Sequence, residues 1–573
     1  FFFEFGMTVA FTVFVSTFTA LTLTPMLCSR ILRYRQQHNF LFRMSERHLQ
    51  TLEKVYSGIL DRAFRHRLVT IVLGVVAFGI GITAFRDLST EFVPTVDREG
   101  FMIAFETPEG ATLDETDAFA SRIEETLAGI PEVEHQFLAI GLSRAGPGKV
   151  NEGFCFVHLL PREERERHQV AIMQELRGKL GGLPDGRAFV IEESQGPSSG
   201  APLQVVLQHT ELDRLAEGQD RVMDWMRSQP EYVGVNSDLK MNKPQLDVTI
   251  KRDKASQMGI SVADISNTLR FLLGEPEISK IERASERYDV ITEVVGAGEM
   301  VPSELRDIYV RSPAGGLVSM ANLVDFDEAI GPSEINHFNR LRSATISTSN
   351  PPGVALGDAL GKLEGWIGEN LSEEFTYELT GQADTFRESF YYLTLAIVFA
   401  IVFIFLVLSA QFESFLHPFT ILMTLPLATV GAFGSLWIFG MTFNIFSFIG
   451  LIMLLGMVTK NAILLVDYTN VLKSRGRTVV EAAKAAARVR FRPVMMTAVS
   501  TMLGMSPIAL GFGAGGEARA PLGVIVFFGL GAATFLTLIV IPVVFSLMDR
   551  LQQRIRELFT GSEQQADTEA TSA

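Results

Sequence analysis

Long uncharged runs alternate with charged stretches along this chain of 573 residues. The runs occupy 5–29, 68–85, 389–412, 414–459, 493–516 and 520–548. A bilayer core about 30 Å thick needs roughly 20 apolar helical residues. The run at 414–459 is too long for one crossing, and it divides near 440–444, where Gly440 and Asn444 interrupt it. The pattern therefore predicts an α-helical membrane bundle of seven spans. Pro507 and Pro542 fall inside two of them, which membrane helices tolerate.

Between the second and third runs the period changes. Strands at 100–106, 133–140, 153–160 and 187–193 alternate with helices near 113–128 and 166–181. That order, βαββαβ, is the ferredoxin-like or split βαβ unit. A second unit starts with a strand at 203–208, a helix at 211–228 and a strand near 232–237. It resumes with a strand at 340–348, a helix at 355–370 and a strand near 374–380. The interruption at about 240–330 has elements of its own and reads as an inserted domain. The predicted fold class is a helical membrane bundle carrying a large α+β domain of two such units. Ferredoxin-like units serve many functions, so the fold alone names none.

Charge sets the sidedness. Segment 28–67 has nine Lys/Arg against three Asp/Glu, and 468–492 has seven against one. Both belong on the cytoplasmic side by the positive-inside bias. Segment 87–388 has 28 Lys/Arg against 52 Asp/Glu, so it belongs outside. Seven crossings agree with this assignment. The overall charge of −15 comes mostly from that domain and argues against nucleic acid as a partner. Mean hydropathy is +0.24 with 20% charged residues, as for spans joined to a soluble part. Cys28 and Cys155 are far apart and fall on opposite sides of the membrane, so no disulfide framework or Cys metal site is implied. The chain opens on Phe inside an apolar run with no visible signal peptide, and reads as a fragment lacking an N-terminal part. Segment 44–66 has helical apolar spacing and reads equally as a surface-lying helix or one packed on the spans. The polar tail 549–573 reads as disordered at its end.

Lys460 carries the chemistry. It stands in FIGLIMLLGMVTKNAILLVDYTN, at the end of the longest uncharged run. A lone ammonium at a bilayer centre costs at least about 2.5–3.5 kcal/mol, so it needs a partner or a water path. Asp467 and the polar run after it are taken as the helix end, about 10 Å away at 1.5 Å per residue. That depth favours a proton or ion relay over a snorkelling lysine. In the large domain, the loop GLSRAGPGKVNEG at 141–153 is flanked by Phe137, Phe154 and Phe156. It lacks the Gly-Lys-Ser/Thr ending of a phosphate loop. It suits an adaptable apolar pocket, or else a surface hairpin whose Phe residues lie in the core. The nine His show no metal-ligand spacing, and no nucleophile stands with a paired base, which speaks against an enzyme.

The stretches LTLTPMLCS (21–29), STEFVPTVDREG (89–100), SAQFESFLHP (409–418), GMVTKNAILLVDYTN (456–470) and RFRPVMMTAVSTMLGMSPIAL (490–510) resemble the resistance-nodulation-division superfamily. The likeness is to efflux pumps of the acriflavine-resistance type, over essentially the whole chain, and to their C-terminal half from the sixth membrane helix onward. By that resemblance Lys460 is the relay lysine, completed by Thr497 and Arg490. The family's carboxylate pair lies on a fourth helix that this chain does not include, and Asp467 is a poor substitute. Phe137, Phe156, Leu142 and Arg144 fall at drug-pocket positions. Leu142 and Arg144 stand where aromatics are frequent, implying a more polar pocket. Loop 141–153 corresponds to the switch loop, with Gly141, Gly146, Pro147 and Gly148.

The resemblance implies a domain plan. Residues 1–29, 68–86 and 389–548 are membrane helices, with a cytoplasmic segment at 30–67. Residues 87–195 form the first porter unit, and 196–239 with 331–388 the second. Residues 240–330 are a docking-domain insertion, and 549–573 a cytoplasmic tail. It further implies a homotrimer in a Gram-negative inner membrane, working with a periplasmic adaptor and an outer-membrane channel. Small amphiphiles would leave by drug/proton antiport, driven by the proton gradient with no cofactor. Metal export would call for clustered Met ligands, and the 20 Met show no clear pair or triad in the porter units. A protein-export partner would have a smaller outer domain. A lipid or hopanoid exporter fits the less aromatic pocket.

Overall fold

The computed structural model describes residues 2–31, 40–94, 96–143, 146–192, 201–274, 276–283, 286–292, 304–313, 315–351, 353–513 and 515–571. Helices α1 (Phe2–Leu21) and α2 (Leu23–Ile31) are apolar and exposed along their length. Helix α3 (Phe40–Arg65) is amphipathic. Its Tyr56, Leu60, Ala63 and Phe64 are buried against Leu465, Ala483, Phe491 and Leu538 of the later helices. Of the two readings of 44–66, the packed one holds. Asp61 pairs with Lys484 at 2.7 Å and Arg488 at 3.0 Å, and Glu53 with Arg492 at 3.0 Å.

Helix α4 (Arg67–Arg86) buries a stripe of small residues, Thr70, Gly74, Ala77, Gly81 and Ala84. Small residues let membrane helices approach closely. A Cβ on Gly81 would sit 2.4 Å from Thr429 Oγ1, on the neighbouring helix.

The first sheet contains β1 (Gly100–Glu106), β2 (Val133–Ile140), β3 (Glu152–Leu159) and β4 (Arg187–Glu192), in the order β2-β3-β1-β4, all antiparallel. Helices α5 (Leu113–Ala128) and α6 (Gln169–Leu180) cover one face, over a core that includes Phe101, Ile103, Phe119, Ile123, Cys155 and Leu176. Thr112 and Glu115 form a capping box that starts α5.

The second sheet repeats the order. It contains β5 (Leu203–His209), then helix α7 (Leu212–Ser228), then β6 (Val233–Ser237). An insertion follows, with β7 (Lys243–Ile250), α8 (Arg252–Gln257), α9 (Val262–Leu273), the hairpin β8 (Glu277–Arg283) and β9 (Glu286–Ile291), and β10 (Val324–Gly331). Strands β7 and β10 pair antiparallel from Lys243↔Gly331 to Ile250↔Val324, so the insertion leaves and returns on one ribbon. It has its own core around Ile260, Ile265, Met320 and Leu323. The sheet then closes with β11 (Leu341–Ser349), α10 (Leu356–Asn370) and β12 (Thr376–Thr380). Strand β11 pairs with β6 and β5, and β5 pairs with β12.

Gly381, with φ +68°, turns the chain from β12 directly into α11 (Gly381–Phe412). The remaining helices are α12 (Leu416–Leu422), α13 (Thr424–Ile438), α14 (Ile445–Ser474), α15 (Val479–Ala509) and α16 (Gly516–Thr571). Among the described residues, six helical stretches are long and apolar enough to cross a membrane. They are Phe3–Ile31, Arg67–Arg86, Gly381–Phe412, Leu416–Ile438, Ile445–Ser474 and Gly516–Gln553. The seventh predicted run is helical through Ala509, but α15 begins with a charged half and its uncharged part carries Pro, Ser and Thr. Two expectations are corrected. Helix α14 runs on to Ser474, so Asp467 ends the apolar run and not the helix. The tail is helical to Thr571, because its Gln, Glu, Arg and Leu residues are good helix formers.

The sheet-containing domain is stitched to the membrane helices at the segment after α4. Thr90 forms a parallel bridge with Phe443. The Glu91 N–H donates to the Phe443 carbonyl at 3.2 Å, and Phe443 N–H to Ser89 O at 2.9 Å. Ile445 N–H reaches Phe92 O at 3.3 Å, and Gly357 N–H reaches Thr90 O at 2.8 Å. One short strap therefore touches both the start of α14 and the start of α10.

Candidate functional site

Lys460 lies at the middle of the 30-residue α14. Its neighbours Thr459 and Asn461 are buried, and Asn461 Nδ2 donates to Thr534 Oγ1 of α16 at 3.3 Å. Lys460 points the other way. It is exposed, and among the described residues it has no hydrogen-bond or ion-pair partner. An ammonium there demands a counter-charge or water from whatever covers that face.

Helix α15 brings in the other two residues, at different depths. The Arg490 guanidinium lies 4.8 Å from the centre of the Tyr468 ring on α14, a cation–π contact. Tyr468 is eight residues from Lys460, about 12 Å along the helix. Arg490 is therefore set toward the far end of α14 and is not brought to Lys460. Thr497 is seven residues beyond Arg490 on α15, about 10 Å along. In antiparallel helices that places it near the depth of Lys460. Thr497 is exposed, and its hydroxyl donates to Val494 O at 3.0 Å. Lys460 and Thr497 are thus two exposed polar groups at one level. Asp467 is also exposed.

The aromatic positions lie on the uncovered face of the first sheet. Phe137 and Phe156 are directly opposed across β2 and β3. They are 60% and 43% exposed, so they are not core residues of a surface hairpin. Phe154 packs edge-on against Phe156 with ring centres 5.1 Å apart. Leu142 lines a neighbouring cleft of about 690 Å³ between the two sheets. The cleft is bordered by Glu106, Lys149 and Phe154 of the first unit and Asn236 and Lys240 of the second. Phe137 and Phe156 share the sheet face but stand outside the cleft lining. Across the cleft, Lys240 Nζ pairs with Glu106 Oε2 at 2.6 Å. Lys149 at the loop end pairs with Glu109 at 3.1 Å. The cleft is accordingly more charged than aromatic.

In the loop, Leu142–Ser143 pairs with Gly146–Pro147 as a two-residue ladder, and Gly148 N–H donates to Gly141 O at 2.9 Å. Gly141 turns with φ +73°. Arg144 lies outside the described residues. Among the described residues, no group of three or more His, Cys, Asp or Glu is placed to hold a metal ion.

A bundle of apolar helices bearing one mid-helix ammonium, under a cleft between two split βαβ units, defines a polytopic membrane protein with a pocket-bearing extramembrane domain. The AcrB/AcrD/AcrF family profile matches residues 1–549, and the chain belongs to that family, within the resistance-nodulation-division superfamily. Its members are secondary transporters and not enzymes. The chain is 30% identical over 559 residues to multidrug resistance protein MdtC of Proteus mirabilis, covering 96% of this chain and 54% of that protein. It is 31% identical over 562 residues to MdtC of Klebsiella pneumoniae strain 342, again covering 96% and 54%. An uncharacterized transporter of Haemophilus influenzae is 30% identical over 553 residues, covering 95% and 53%. A crystal structure of a heavy metal efflux pump superposes with TM-score 0.75 at 23% identity, covering 88% of this chain and 53% of that one. That likeness shows the fold. The chain spans about half the length of these relatives.

Proposed function

We propose that this chain forms the C-terminal half of the inner-membrane subunit of a proton-driven efflux pump. The pump exports drugs or other amphiphiles from the periplasm or outer leaflet of a Gram-negative cell. It works as a homotrimer with a periplasmic adaptor and an outer-membrane channel, and the proton gradient replaces any cofactor. In this reading α15 is the seventh span, residues 87–195 and 196–239 with 331–388 are porter units, and 240–330 dock toward the channel. Lys460 and Thr497 are the relay, with Arg490 an outlying member. Phe137, Phe156, Leu142 and Arg144 belong to the pocket, beside the switch loop of Gly141, Gly146, Pro147 and Gly148.

The observation that carries the reading is the exposed, unpaired Lys460 at mid-helix. A buried counter-charge from the remainder of the protein would pair with it, and protonation of that counter-charge would release it. Such a two-state polar contact can convert proton binding into helix movement. The family relatives named as multidrug resistance proteins support the substrate class.

The test is Lys460→Ala in the intact protein, read by dye efflux from energised cells. Export falls to the level of cells without the pump, while trimer assembly and membrane insertion are unchanged. Export at the wild-type rate would sink the relay assignment.

A further inference from the structure

We propose that Glu91 is a proton-binding site, at the junction between the sheet-containing domain and the membrane helices. Its occupancy sets how tightly the 89–92 strap grips the start of α14. The strap geometry argues for this first. The Glu91 backbone is held by Phe443, and its carboxylate accepts a hydrogen bond from the Thr442 hydroxyl, so both ends of the residue grip one turn of chain before α14. Asn444 then caps that helix, accepting from Phe446 and Ser447 N–H at 3.1 Å each. Phe443 is itself fixed by rings of Phe85, Phe390 and Phe448. The strap therefore bears on the helix that carries Lys460.

The surroundings argue for it second. Glu91 borders a cavity of about 550 Å³ between the domain and the helices. The charged groups on that cavity are Asp87 at the end of α4, Arg98 in the linker, Arg177 on α6, Glu192 at the end of β4 and Glu517 on α16. The α13–α14 turn contributes Thr442, and the 349–356 segment and Gln382 bring no titratable group. Burial pushes the Glu91 carboxyl up to about 7; the Thr442 hydrogen bond opposes this and the Glu192 charge adds to it. Glu192 is likewise raised by burial, with Arg177 and Arg98 opposing. Two partly buried carboxylates beside one cavity do not readily ionise together.

The sign follows. Between the ordinary carboxylate range and about pH 7, the folded protein keeps a proton that the unfolded chain has lost. The neutral carboxyl stays buried against Thr442. Above that pH the anion seeks water, and the strap loosens. Thr90 simultaneously binds Gly357, so loosening frees the start of α10 in the second unit as well as the start of α14. The consequence for transport rests on the proposed function, but the site itself does not.

The experiment is hydrogen–deuterium exchange on the intact protein in lipid nanodiscs, between about pH 5.5 and 8.5, corrected for intrinsic amide rates. The amides of Glu91, Phe443 and Ile445 report the strap. In wild type their exchange rises by up to about tenfold per pH unit above a midpoint near neutrality. Glu91→Gln keeps the amides protected across the range, because its neutral side chain still meets Thr442. Glu192→Gln lowers the midpoint while keeping the response. A flat wild-type profile would overturn the proposal, as would an unchanged pH response in Glu91→Gln. The readout needs no transport, so it can fail while the Lys460 relay stands, and the reverse.

Discussion

The two βαββαβ units share one strand order and do opposite things with it. The first leaves a sheet face open, with Phe137, Phe154 and Phe156 on it and a Gly-rich hairpin at its edge. The second spends its corresponding connection on an inserted domain and ties its own elements to the membrane helices. Strand β12 runs straight into α11, and Ala383 and Phe386 of that helix complete the second unit's core. Movement of the bundle thus reaches the second unit directly. It reaches the first through the linker, the cleft and the contact of His168, at the start of α6, with Glu517 of α16 at 3.6 Å. The shared fold is a scaffold, and attachment decides which copy is tied most closely to the helices and which presents surface.

Breaking the attachment has the largest expected effect. A Cβ on Gly357 would lie 2.1 Å from Thr90 Oγ1 and 2.8 Å from Thr90 O. Gly357→Val should cost about 1–3 kcal/mol of docking, the usual range for overpacking. Limited proteolysis would then cut near the strap while the first unit stays protected; an unchanged digest would refute the one-sided attachment. Next in size is the cleft pair. Lys240→Met leaves Glu106 partly buried without its cation, at a cost of about 1–3 kcal/mol. The expected outcome is a wider cleft, read as a longer distance between spin labels on the two units. Restoration by Lys240→Arg would sharpen the assignment. The smallest effect on stability belongs to the open face. Phe137→Ala and Phe156→Ala should each shift stability by no more than about 0.5 kcal/mol, as exposed positions do. Under the proposed function they should nonetheless alter which substrates are exported. Unchanged susceptibility to every substrate tested would remove the pocket role.

Much of the fold was legible along the chain, because the signals are local. A bilayer requires long apolar helices, and among the described residues each of the six candidate spans is built on one of the uncharged runs, although Ile445–Ser474 also carries Lys460, Asp467 and Lys473. The strands and helices of both units follow alternating and helical periods. The errors also have local causes. Asp467 closes the apolar run, but an exposed carboxylate on a helix that continues past the apolar zone breaks no backbone bond, so α14 goes on to Ser474. Tail polarity suggested disorder, yet residues that are polar and good helix formers continue α16. The candidate site was less legible. Lys460 stood out by its cost in a membrane. Arg490 is engaged with Tyr468, a contact across two helices that spacing within either does not show. Nothing in the local sequence marks Glu91, and only the strap's pairing with residues more than 350 positions later shows its partial burial.

By itself the sequence determined six of the helical stretches long and apolar enough to cross a membrane, where the strands and helices of the large domain fall, and that one lysine lies in an otherwise apolar helix. These depend on composition and period within a few turns of chain. Tertiary structure decided the rest. It set Phe137 against Phe156 on an open face, placed Lys240 across a cleft from Glu106, turned Lys460 outward, and joined the strap at Glu91 to the start of α14. Each of these is a contact between distant parts of the chain, and its energy depends on separation and burial that no local pattern encodes.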